Sequence, residues 1–206
     1  MLNDPLSRTE LVAEALAERG WAILRDLVPA ATWQALAAEV RSAHARGDLR
    51  PAGVGTGERY RVAGEVRGDL IGWLEATAAS AAQQDALSRL DALRRTLNRE
   101  LQLGLFEFEG HLALYPPGAR YCRHRDQHQG SQTRVLSCVL YLNSNWGAED
   151  EGQLRLYLDE AGSADYCDVL PQGGALVCFL SERFSHEVLP ARRERLSLTG
   201  WFRRRS

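Results

Sequence analysis

FEFEGHLALY (106–115), RVLSCVLYL (134–142), QLRLYL (153–158), ALVCFL (175–180) and LSLTGWF (196–202) are the runs on which the fold turns. Each is short and rich in leucine, aromatic or β-branched residues, as strands of a packed sheet are. Turn signals separate them: Pro116-Pro117-Gly118, Asn143–Gly147, Pro171–Gly174 and Pro190. Upstream, the pattern is that of helices. Residues 6–19 carry Leu11, Val12, Ala15 and Leu16 on one stripe, with Gly20 as the stop. Trp21–Leu24 is a short strand. Thr32 caps, or closely precedes, a second helix bearing Trp33, Leu36, Ala37 and Val40 and ending near Gly47. Leu87, Leu90, Leu93, Leu97 and Leu101 set out a third helix over 83–103. Between them, residues 47–66 hold Gly53, Gly55, Gly57 and Gly64 without period, which predicts a loop or mobile hairpin. Helices followed by many short strands predict an α+β fold, a sandwich or barrel with helices on one side.

The chain has 206 residues, the size of a single domain, and no lysine: all 25 basic residues are arginine. That excludes Schiff-base catalysis and the P-loop lysine. Any anion must be gripped by arginine, backbone N–H groups or a metal. A formal net charge of -2 argues against coating nucleic acid. No apolar run reaches the roughly 20 residues of a membrane span, and the N-terminus lacks a signal-peptide pattern. The four cysteines show no CxxC spacing, and Cys138 and Cys178 sit in apolar runs as small hydrophobes. A reduced, cytoplasmic protein is expected. Nothing demands an oligomer, so a monomer is expected.

His124-Arg125-Asp126 is an H-x-D unit. In extended backbone residues i and i+2 project to one side, so an imidazole and a carboxylate converge on one ion. His186 begins another extended segment much later. Two histidines and a carboxylate occupy one face of an octahedral ion and suit non-haem iron, although zinc also takes three protein ligands. Arg195 stands nine residues after His186 inside an apolar strand pattern. A guanidinium there either reaches out to water or pairs with an anion, and it grips a carboxylate with two hydrogen bonds.

These residues, in this order, resemble the Fe(II)/2-oxoglutarate-dependent dioxygenases. They are most similar to the prolyl 4-hydroxylases related to the hypoxia-inducible-factor prolyl hydroxylases and their bacterial branch. The resemblance includes Arg67-Gly68-Asp69 with Ile71 and Trp73, Tyr115-Pro116, and Tyr121-x-Arg123-His124-x-Asp126. It continues through Tyr141-Leu142-Asn143 with Trp146, Gly152-x-Leu154-Arg155, and His186-Glu187-Val188-x-Pro190 with Arg195, Thr199 and Trp201. It implies a double-stranded β-helix (jelly-roll) core over about 106–206, flanked by helical N-terminal support over about 1–105, in one domain spanning 1–206. His124, Asp126 and His186 match the iron ligands. Arg195 and Tyr141 match the residues that hold the distal carboxylate of 2-oxoglutarate, and Tyr115 a tyrosine nearer the metal. Thr199 and Trp201 match the pocket lining. Arg134 and the loop before Arg67 and Asp69 match regions that contact the target.

The implied reaction couples oxidative decarboxylation of 2-oxoglutarate to succinate with hydroxylation of a prolyl residue, using O2, with ascorbate as a stimulant. No catalytic residue is implied beyond the iron centre. The implied partner is a proline-containing protein or peptide, such as elongation factor Tu in the bacterial branch. Rival readings are the same chemistry on a small molecule or another residue type, a non-catalytic oxygen- or 2-oxoglutarate-responsive binding module, and, more distantly, a zinc hydrolase. His128 is read as a loop histidine, and His44 and His111 as structural or surface residues. Trp21, Trp33 and Trp73 are read as core, and Arg67 and Asp69 as a local pair at the hinge of the loop.

Overall fold

The computed structural model describes residues 5–55, 61–127, 133–159 and 165–205. Gly57 and His128 lie outside them. Three helices come early: α1 (Pro5–Arg19), α2 (Ala30–Ala45) and α3 (Ala81–Leu101). Five strands lie among them: β1 (Trp21–Arg25), β2 (Arg50–Pro51), β3 (Gly53–Val54), β4 (Arg61–Val62) and β5 (Leu70–Trp73). The second half is strands: β6 (Glu107–Tyr115), β7 (Tyr121–His124), β8 (Arg134–Tyr141), β9 (Leu154–Tyr157) and β10 (Tyr166–Val169). β11 (Ala175–Leu180), β12 (His186–Val188) and β13 (Arg195–Arg203) complete the set.

The strands form a seven-stranded sheet, β1-β11-β8-β13-β6-β5-β2, and a four-stranded sheet, β10-β9-β12-β7. Every paired strand within them is antiparallel. Two antiparallel sheets enclosing one core make the jelly-roll the sequence predicts. The N-terminal half supplies more than helices, because β1, β2 and β5 extend the large sheet at both edges. The glycine-rich stretch is likewise not a bare loop: β3 and β4 pair as a hairpin.

Alternation along the large sheet sorts its residues into two cores. Leu112, Leu114, Leu136, Cys138, Leu140, Leu176, Cys178, Leu196 and Leu198 pack with the helices. Ala113, Tyr115, Val139, Tyr141, Val177 and Phe179 pack instead with Leu154, Leu156 and Val188 of the small sheet. On the helix side, Cys138 and Cys178 sit directly opposite each other on β8 and β11, their sulfurs 3.6 Å apart. All four cysteines are free thiols. The pair Gly110 and Gly200 is required by crowding: a Cβ on Gly200 would meet the Glu109 carbonyl oxygen and the Phe108 ring, both at 2.5 Å.

α3 buries Ala86, Leu90, Leu93, Thr96 and Leu97. Burial of one such leucine contributes about 1.5–3 kcal/mol. Its N-cap is Ser80, whose hydroxyl accepts from the Gln83 N–H at 3.1 Å and donates to Glu39 of α2 at 2.6 Å. Thr32 does not cap α2. It lies in the first turn and donates to Asp85 of α3 at 2.6 Å, while Pro29 occupies the cap position. In α1, Val12 and Leu16 are buried as predicted, but Leu11 is 52% exposed; Thr9 and Ala13 complete the packed face. Gly20, at φ +83°, ends that helix as its sequence position predicts. Among the described residues, no helix is long and apolar enough to cross a membrane.

Candidate active site

The small sheet brings the two distant histidines together. β7 pairs with β12, and His124 faces His186 in that register with ring centroids 4.2 Å apart. Asp126 follows two residues on in the turn. Its Oδ1 lies 3.5 Å from His124 Nε2 and its Oδ2 3.6 Å from His186 Nε2. One donor atom from each residue falls within 4.8 Å of the others, the single such group among the described residues. His124 Nδ1 lies 2.8 Å from the Cys122 carbonyl oxygen. A carbonyl only accepts, so Nδ1 carries the proton and Nε2 presents its lone pair to the cluster. Tyr121, at the start of the same strand, stacks on His124 with ring centroids 3.6 Å apart.

Burial, then the neighbouring His124, pulls His186 down to about 4. Burial alone would raise Asp126, but His186, His124 and the Ser137 hydroxyl outweigh it and hold the carboxyl well below its usual range. Near neutral pH His186 is therefore a neutral imidazole and Asp126 a carboxylate, with His124 Nε2 facing them. That donor set fits a divalent ion on one octahedral face. The Ser137 hydroxyl donates to Asp126 Oδ2 at 2.7 Å.

Behind the cluster lies a small cavity between the sheets. Alternation on β13 turns Arg195, Ser197, Thr199 and Trp201 inward while Leu196, Leu198 and Phe202 pack against the helix side. Arg195 is 1% exposed. Its Nε donates to the Gly152 carbonyl at 2.8 Å, but Nη2 is buried with no hydrogen-bond partner. The Tyr141 hydroxyl is buried and equally unsatisfied, and the Tyr141 and Tyr115 rings lie 5.0 and 5.2 Å from the guanidinium carbon. Burial pushes Tyr141 up to about 12, against the opposing pull of Arg195, so it stays a hydroxyl donor. Unmet donors on a buried cation are costly, and a carboxylate entering the cavity would satisfy both. Tyr115, Thr199 and Trp201 line this cavity, as does Arg195, beside which Tyr141 packs. Thr199 shares a hydrogen bond of 3.0 Å with Ser197.

A second hollow, a groove bordered by β3, adjoins the cluster. Arg67, His111, Tyr121, His124, Asp126 and Trp201 line both spaces, so the cluster forms part of the wall between them. Trp73 was expected in the core; it is 54% exposed and borders the groove, packed edge-on against His111. His111 is buried, as one of its two readings allows, yet it also lines both spaces. His44 is exposed. Arg67 and Asp69 do pair with each other, at 2.7 and 3.0 Å, and Asp69 is 1% exposed. Arg67 also reaches the Gly53 carbonyl at 3.4 Å, tying the pair to the hairpin. Arg134 borders the groove with its guanidinium 3.4 Å over the Trp201 ring, held by Glu109. Three residues of this site were given no role from sequence: Tyr121, His111 and Ser137. Only Tyr121 carried a signal, its place three residues before His124.

A family model for the 2OG-Fe(II) oxygenase superfamily matches residues 110–203. Among curated proteins, Egl nine homolog 1 of Homo sapiens is 30% identical over 200 residues, an alignment covering 94% of this chain and 46% of that protein. The chain thus spans about half the length of the first curated relatives it matches. Among solved structures, a prolyl-4-hydroxylase of Pseudomonas putida is 47% identical with a TM-score of 0.84, over 96% of this chain and 100% of that one. A prolyl hydroxylase from Trichoplax adhaerens, solved with a hypoxia inducible factor oxygen degradation domain peptide fragment, is 26% identical with a TM-score of 0.86, over 97% and 90%.

Proposed function

The chain belongs to the 2OG-Fe(II) oxygenase superfamily, and we propose that within it this protein is a protein prolyl 4-hydroxylase acting as one domain over 1–206. In this reading, decarboxylation of 2-oxoglutarate to succinate is coupled to hydroxylation of a prolyl residue in a protein target. The observation that carries it is the pairing of two spaces on one cluster. The cavity between the sheets ends on an unsatisfied arginine, and a second hollow, bordered by β3, shares His124 and Asp126 with it. A small dicarboxylate suits the first and an extended peptide the second.

His124, Asp126 and His186 would hold Fe(II), which supplies the oxygen chemistry that no side chain can. Arg195 and Tyr141 would anchor the distal carboxylate by charge and hydrogen bond. Tyr115, Thr199 and Trp201 shape the cavity around the co-substrate and limit its water. Trp73 and Arg134 border the groove where the target would lie, and the Arg67–Asp69 pair braces the hairpin above it. No protein general base is required. The target is a proline-containing protein segment in the cytoplasm, met by a monomer, with a translation factor such as elongation factor Tu the first candidate.

The test is incubation with Fe(II), 2-oxoglutarate and candidate peptides under air, read by mass spectrometry and by succinate release. A gain of one oxygen atom on proline is expected. Oxidation of a free metabolite with no prolyl peptide turned over would replace the protein target by a small molecule.

A further inference from the structure

Ser137 and Ser181 form a buried polar pair with a direction. Ser137 is 1% exposed on β8, and Ser181, fully buried, follows β11. Their hydroxyl oxygens are 2.9 Å apart, and Ser137 Oγ is 2.7 Å from Asp126 Oδ2. An ionised carboxylate only accepts, so Ser137 spends its one proton on Asp126. Ser181 must then donate to Ser137. The chain runs one way, Ser181 to Ser137 to Asp126, and ends on the strongest acceptor present. Two serines placed only to satisfy each other would not require that order.

We propose that Ser137, backed by Ser181, is a positioning residue for the metal-binding carboxylate, its hydrogen bond occupying a lone pair of Oδ2 and so favouring ligation through Oδ1 alone. The proposal rests on the metal-centre reading of His124, Asp126 and His186. Its chemical point is the count of open positions. One oxygen from Asp126 and one nitrogen from each histidine leave three positions of an octahedral ion free. A carboxylate that bound through both oxygens would take one of the three. A co-substrate chelating through two atoms, together with O2, needs all of them. Val139 and Tyr141, the next inward residues of β8, pack in the apolar core between the sheets, which sets Ser137 apart on its own strand.

The experiment measures Mn(II) affinity of the metal-free full chain by calorimetry, without co-substrate or target, and the ligand-field absorption of the Co(II)-loaded protein. Ser137→Ala is expected to bind Mn(II) about tenfold more weakly and to shift the Co(II) spectrum, the usual scale for loss of a residue that orients a metal ligand. Ser181→Ala should show a smaller loss, and Ser137→Thr, which keeps the hydroxyl on a strand-favouring residue, should restore binding. Circular dichroism of each metal-free variant separates this from unfolding, and Ser181→Ala carries the test if Ser137→Ala does not fold. Parent-like Mn(II) affinity and an unchanged Co(II) spectrum in both alanine variants would overturn the proposal. A parent chain that binds no Mn(II) would sink the metal centre and this role together. Since no target is used, a failure to hydroxylate any prolyl peptide leaves the measurement decisive for Ser137.

Discussion

At the scale of single residues, the site is built from groups whose hydrogen-bonding capacity is deliberately incomplete or fully spent. Arg195 is of the first kind. Replacing it by leucine should weaken 2-oxoglutarate binding to the Mn(II)-loaded protein by roughly 10- to 100-fold, the worth of hydrogen bonds to a charged group. Calorimetry checks this, and an unchanged affinity would remove Arg195 from the co-substrate pocket. Arg67 and Asp69 are of the second kind. Arg67→Ala would leave a carboxylate that is 1% exposed without its cation, a loss of about 3–5 kcal/mol in urea unfolding. Arg195 was legible because an arginine inside an apolar strand demands a partner. Ser137 was not: a serine among Leu136, Cys138 and Val139 looks like a neutral filler until the fold brings Asp126 to it.

Elements were legible where their period was long enough to count. The five runs quoted at the outset all become strands, and α3 lies where its leucine repeat predicts, two residues early at each end. The missed strands are short: β2 has two residues, and β5 and β10 have four each. Tyr166–Val169, half-exposed and holding an aspartate, is a strand only because β9 pairs with it. β7 and β12 are as brief, and it is their pairing, not their own propensity, that sets His124 against His186. Helix entry follows simpler rules. Ser80→Ala removes the α3 cap and its bond to Glu39, which should cost about 1 kcal/mol. A lower melting temperature with unaltered Mn(II) affinity is the expected result, because α3 packs on the far side of the large sheet from the cluster.

For the molecule as a whole, burial of ionisable groups ties stability to pH. Burial, then the charge of Arg67, pulls His111 from 6.5 to about 3. Above pH 6.5 the ring is neutral in both folded and unfolded chains, and its contribution is fully present. Below that value the unfolded chain binds a proton that the folded one refuses, so stability falls as pH drops toward 3. The loss is on the order of a few kcal/mol. Urea midpoints measured across this range should slope downward, and His111→Phe should flatten the slope. His186, lowered for the same reason, supplies a remainder in the metal-free protein. An unaltered slope in His111→Phe would count against His111 as its source.

The four thiols divide by depth in a way that makes the protein its own stopwatch. Cys138 and Cys178 are locked between the large sheet and the helices, whereas Cys122 and Cys167 are half-buried on β7 and β10, the two opposite edges of the small sheet. Under pulsed alkylation, Cys122 and Cys167 would be modified as those edges fray, and the inner pair only when the whole chain opens. Cys122 supplies the carbonyl that orients His124, so its labelling rate, followed with and without metal, times the breathing of the strand that carries the first ligand.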